Sequence, residues 1–87
     1  MIQLTAWVDA GFGSYARSSN RFRAKVTRSR FSMGYWEFVV YRIERLPYGS
    51  QLEVRGHTFS GAKKYSEQVV KKQATQMLMY LEGHWKE

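Results

Sequence analysis

Six cations fall within residues 10–30 without one carboxylate among them: Arg17, Arg21, Arg23, Lys25, Arg28 and Arg30. Asp9 stands just before this span, and the next acid is Glu37. Five of the six are arginines, whose planar guanidinium meets a phosphate through two parallel hydrogen bonds and also stacks on rings. Phe12, Tyr15, Phe31, Tyr35 and Trp36 are interleaved with them. Cations that displace condensed counterions, together with rings that stack on bases, are the equipment of a nucleic-acid surface. Phe12, Tyr15 and Tyr35 are the expected stacking residues. The competing reading is a solvated strand face whose charges block edge-to-edge aggregation.

A second basic cluster, Lys63 and Lys64 with Lys71 further on, follows Ser60 in "SGAKKYSEQVVKK". Lysines in a first helical turn oppose the helix dipole, and a phosphate docked there turns that cost into a gain. Residues 52–81, "LEVRGHTFSGAKKYSEQVVKKQATQMLMYL", resemble the C-terminal part of a double-stranded-RNA-binding domain. In that family a glycine-bearing strand precedes a serine and a Lys-Lys pair that opens the last helix. The resemblance implies that Lys63, Lys64 and Lys71 sit over phosphates. This chain departs from the pattern in two ways: Gly61 and Ala62 separate the serine from the lysines, and a strand stands where the family has its N-terminal helix. A slighter likeness, to the opening half of a ribonuclease-H-like fold, rests on "WVDAGFG" ending a strand and Glu67 on the helix. Asp9 and Glu67 would then be Mg²⁺ ligands. The further acids such a site needs are not in these residues, so Asp9 is read as closing a strand and Glu67 as pairing with Lys71.

Other chemistry finds little support. With no cysteine there is no disulfide, thiolate zinc site, Fe–S cluster or thiol nucleophile. His57 and His84 are 27 residues apart with no ligand-type neighbour in sequence, so no metal site is expected. "GFGS" at 11–14 lacks the G-x-G-x-x-G spacing and reads as a turn. No serine can be paired with a histidine and an acid by sequence alone. The expectation is a chain without catalytic residues or cofactor.

The elements that position these groups follow from hydropathy patterning. Residues 2–9 alternate, with Ile2, Leu4, Ala6 and Val8 on one face, and predict a half-buried strand. Residues 10–20 carry glycine, serine and asparagine at loop density. Residues 21–29 alternate more cleanly: Phe22, Ala24 and Val26 point one way, Arg21, Arg23, Lys25 and Thr27 the other. Residues 35–45 are the longest apolar run, rich in aromatic and β-branched types, and predict a central strand. Pro47 and Gly49 occupy the first central and last positions of a type I turn. Residues 51–59 return as a strand with Leu52 and Val54 inward and Gln51, Glu53, Arg55 and His57 outward.

Residues 61–87 predict the one helix, with Ser60 as its N-cap. Its apolar side holds Val69, Val70, Ala74, Met77, Tyr80, Leu81 and Trp85. Its polar side holds Lys64, Gln68, Lys71, Lys72, Thr75, Glu82 and Lys86. Met79 and Tyr65 fall off the apolar arc and form a small patch suited to a homodimer or another partner. The fold expected is α+β: a four-stranded antiparallel sheet in the order ββββα, its C-terminal helix packed on one face, in a single domain over residues 1–87.

Fourteen Lys and Arg against seven Asp and Glu give a net charge of +7, and 44% apolar residues are enough for a core. The opening "MIQLTAWVDAG" lacks the basic start and apolar run of a signal peptide. No apolar window nears the ~20 residues that span a bilayer. A cytoplasmic protein without membrane association is expected. The composition favours a polyanionic partner. The functional expectation is a small non-enzymatic module that engages RNA or DNA through its arginine-rich strand and loop. The alternative is an inhibitor or adaptor of the kind that phages and mobile elements encode, one that binds an acidic protein surface or a nucleic-acid-handling complex.

Overall fold

The computed structural model describes residues 2–85, apart from the side chain of Arg55. Five strands precede one helix: β1 (Val8–Gly11), β2 (Ser14–Ser18), β3 (Phe22–Arg28), β4 (Trp36–Arg45), β5 (Gln51–Ser60) and α1 (Glu67–His84). The strands form one antiparallel meander in the order β1-β2-β3-β4-β5. The α+β class and the covering helix agree with the sequence pattern, but the four-stranded expectation is corrected to five.

The added strand is β2, which lies inside the stretch read as a loop. Its small residues, Ser14 and Ala16, are buried, while Tyr15 and Arg17 occupy the other face. A tight turn joins it to β1. Gly11 and Gly13 take φ of 85° and 71°, values open to glycine because it has no Cβ, and Phe12 between them has φ of 53°. Asp9 Oδ1 accepts the Gly11 N–H at 2.7 Å, and Ser14 Oγ donates to the Gly11 carbonyl at 2.6 Å. The first strand is correspondingly shorter than 2–9. Residues 2–7 run beside β2, where the Thr5 N–H donates to the Ser18 carbonyl at 2.9 Å, and both Leu4 and Trp7 pack on the core.

β3 and β4 form as their alternation dictates. Phe22, Ala24, Val26, Phe38 and Val40 meet Val70, Ala74 and Leu78 of α1 in one cluster, all at most 3% exposed. The turn at Pro47 also follows its sequence: Gly49 N–H donates to the Leu46 carbonyl at 3.1 Å. The return strand does not follow its pattern. Tyr41 pairs Thr58 and Ile43 pairs Glu53, so residues 54–57 bulge opposite Arg42. The bulge turns His57 inward against Trp85, at 5.6 Å between ring centroids, and leaves Leu52 exposed, opposite to the expected facing. The outward placement expected of Arg55 falls outside the described side chains.

The helix starts six residues later than the sequence suggested. Ser60 belongs to β5, and Ser66 is the N-cap, its Oγ accepting the Val69 N–H at 3.3 Å. Residues 61–66 are an extended connection, fixed to the sheet where Trp36 and Lys64 exchange backbone hydrogen bonds of 2.6 and 3.0 Å. The apolar stripe is also rotated: Leu78 is fully buried, while Val69 and Tyr80 are exposed. Glu67 and Lys71 pair at 3.7 Å as their spacing indicated. Lys86, assigned to the polar side, lies outside the described residues.

Three substitutions test this packing. Leu78→Ala opens a cavity in the sheet–helix cluster and costs about 2–5 kcal/mol, whereas Val69→Ala stays within about 0.5 kcal/mol. Gly61→Ala places a Cβ 2.6 Å from the Phe38 ring and destabilises by about 1–3 kcal/mol. Urea melts followed by circular dichroism measure all three.

Candidate nucleic-acid interface

Antiparallel register assigns each basic side chain to a face, because residues directly opposite one another project to the same side. Arg17 lies opposite Ala24, Arg28 opposite Trp36, and Arg42 opposite Phe22. All three therefore stand on the helix side, at the margin of the core. Each guanidinium covers an indole: Arg17 over Trp7 at 5.1 Å, Arg28 over Trp36 at 5.3 Å and Arg42 over Trp85 at 4.5 Å. From the helix, Lys71 reaches over the Tyr15 ring at 4.0 Å. Arg17 also donates to Thr75 Oγ1 at 2.9 Å and to the Thr5 carbonyl at 3.1 Å. These contacts close the seam between sheet and helix. They occupy Arg17, Lys71 and Tyr15, and Arg28 in part.

Arg21 is engaged differently. Its Nη1 meets Glu82 Oε2 at 2.9 Å, and its backbone N–H donates to Glu82 Oε1 at 2.6 Å. Ser19 Oγ donates to the same oxygen at 2.9 Å. Glu82, whose side chain is only 7% exposed, thus ties the end of α1 to the β2–β3 turn. Burial alone would raise its pKa. The Arg21 backbone N–H, the Arg21 guanidinium and the Ser19 hydroxyl outweigh that and hold it below the ordinary glutamate value.

The open face of the sheet carries the rest of the β3 ladder. Arg23 stands beside Ser18 and Tyr41, Lys25 beside Ala16 and Val39, and Thr27 beside Glu37. The helix covers none of them. Arg23 and Lys25 project about 6.8 Å apart along the strand. Arg23 Nε is buried without a hydrogen-bond partner, and its charge opposes the burial that raises the pKa of Tyr41. Among the described residues, Arg23, Lys25, Arg28 and Arg30 have no carboxylate within 4.0 Å. Glu37, Glu44, Glu67 and Glu82 are spent on Lys63, Arg42, Lys71 and Arg21.

At the end of this face where β3 finishes, a trough of about 510 Å³ opens between the β1–β2 turn and the 29–35 loop. Lys25, Thr27, Arg28, Arg30, Ser14 and the carboxylate Glu37 supply its polar lining, and Phe12, Phe31, Phe38 and Val39 most of its apolar lining. Phe12 and Phe31 are 108% and 92% exposed. Lys63 lies close by, 3.8 Å from Glu37. Lys64 is exposed on the extended connection, so the lysine pair does not open the helix as the family resemblance implied. Tyr35 is not a free ring: it packs on Tyr65 with centroids 3.9 Å apart, and a hydrogen bond to Tyr65 is the main cause of its raised pKa.

Of the stacking residues expected from sequence, Phe12 alone faces the trough. Phe31, one of the rings interleaved with the cations, also lines the trough, and the place of Arg42 depends on Trp85, a residue remote in sequence. Asp9 and Glu67 each have a local partner, Gly11 N–H and Lys71. Among the described residues no three His, Cys, Asp or Glu side chains gather as a metal site. No helix there is long and apolar enough to cross a membrane. No protein family matches this chain, and no curated protein or solved structure is detectably similar to it.

The Glu82 contacts give a pH dependence of defined sign. The native pKa lies below the unfolded one, so the stabilisation is complete above the ordinary value of 4.5 and is lost as pH falls through the lowered native value. Glu82→Gln costs about 1.5–3 kcal/mol at neutral pH and flattens the acid limb of the stability curve. Thermal melts between about pH 3 and pH 7 check both effects.

Proposed function

We propose that this protein is a small non-enzymatic module that binds nucleic acid through the open face of β3 and the loops at its end. The observation that carries the reading is the group formed by Arg23 and Lys25 on that face with Arg28 and Arg30 at its end: none has a described carboxylate within 4.0 Å, while Glu37, Glu44, Glu67 and Glu82 pair with other cations. Leaving charges of one sign together is unfavourable for the folded chain itself, and a polyanion relieves it. The neighbouring Ser18, Thr27, Thr58 and Tyr41 are short or planar polar groups that add hydrogen bonds to a phosphate backbone without blocking its approach. Lys63 and Lys64 extend the same basic end of the molecule.

A second reading is favoured by the tip of the β4–β5 hairpin, where Leu46, Tyr48 and Leu52 are exposed beyond the last residues paired with β3. An apolar ribbon of this kind suits a protein partner, as an inhibitor or adaptor would require. Pull-down from a lysate treated with nuclease separates the readings, because a nucleic-acid-mediated association disappears and a direct protein contact persists.

The direct test is fluorescence anisotropy with single-stranded and duplex oligonucleotides at about 50 and 200 mM salt. Binding is expected at the lower salt and weakens steeply at the higher. Replacing Arg23 and Lys25 together by alanine lowers affinity and reduces the salt slope by about two. Absence of binding at low salt removes the proposal.

A further inference from the structure

We infer that the trough between the β1–β2 turn and the 29–35 loop receives an unpaired base, and that the ligand is therefore single-stranded nucleic acid rather than a duplex. The inference rests on the nucleic-acid reading above and narrows it. Phe12 is its starting point. A non-glycine residue at φ of 53° is disfavoured, and this one is flanked by two left-handed glycines that make the turn possible. The ring so placed is fully exposed and buries nothing of the chain's own core. Backbone strain without a return in packing points to a use outside the fold.

Phe31 supplies a second exposed ring on the same trough from a separate loop. The volume of about 510 Å³ falls within the range of small-ligand sites. Lys25, Arg28 and Arg30 line it, which places cations where the phosphates flanking an inserted base would run. Glu37, the carboxylate in the lining, is held by Lys63 at 3.8 Å, so its charge is offset. A base inside a duplex has both faces stacked on its neighbours and shows only its edges, which gives these rings nothing to stack on. An unpaired base offers a face, and stacking accepts any base, so broad sequence tolerance follows.

The experiment compares a fluorescein-labelled single-stranded oligonucleotide, as DNA and as RNA, with a blunt duplex of the same sequence. Wild type, Phe12→Ala, Phe31→Ala and the double variant are titrated by anisotropy at low salt. Tighter binding of the single strand is expected, with a loss of about tenfold for each ring removed and no change toward the duplex. Phe12→Gly, which relieves the left-handed strain and keeps the fold, should lose as much affinity as Phe12→Ala. The inference is overturned if the double variant keeps full affinity for the single strand, or if the duplex binds as tightly. Single-strand binding that needs Arg23 and Lys25 but ignores both rings overturns the trough and leaves the nucleic-acid reading standing. Failure of every probe to bind overturns the nucleic-acid reading together with it.

Discussion

One helix has to seal five strands. A helix is about 10–12 Å across with its side chains, while the outer strands of a five-stranded sheet lie about 19 Å apart. α1 therefore sits over β3 and β4, and the flanks of the covered face are left to other groups. Trp7, Trp36 and Trp85 fill them, and Arg17, Arg28, Arg42 and Lys71 lie over these indoles and over Tyr15. Long cationic side chains suit this work, since their stems cover apolar surface while their heads reach water. The width mismatch thus determines where a large part of the positive charge resides.

That arrangement divides the cations by job. Those on the helix side of the sheet are committed to rings or, like Arg21, to a carboxylate. Those on the opposite side of β3, Arg23 and Lys25, have neither among the described residues. A net charge of +7 is therefore not spread evenly in its consequences. The same residue type closes the core in one place and remains available in another, and the parity of position along a strand decides which. Arg28 belongs to both groups, packed on Trp36 and facing the trough.

Much of the scaffold was legible in the sequence because its signals are local. The alternation of Phe22, Ala24 and Val26, the β-branched run of β4 and the Pro47 turn each settle within a few residues. What escaped depends on distant partners or on weak side-chain contrast. β2 buries Ser14 and Ala16, which carry almost no hydropathic signal beside the glycines of the turn. Ser60 and Ser66 are equally good caps by type, and the pairing of Ser60 with Val39 makes the choice. Arg17 and Arg21 were counted correctly as charge, but Thr75 and Glu82, which engage them, lie 58 and 61 residues away. The candidate site was visible as a cluster of residue types; its division between two faces was not.

The meander has a consequence for how the molecule comes together. Every strand pairs with its neighbour in sequence, so the whole sheet is built from short-range closures that cost little chain entropy. The docking of α1 is the event that joins remote segments. During synthesis the five strands have all emerged once Ser60 is clear, and the apolar side of β3 and β4 then waits uncovered until the last quarter of the chain arrives. Through that interval the molecule is a sheet with an exposed greasy side, and the arginines along its border are the charges that discourage two such sheets from meeting.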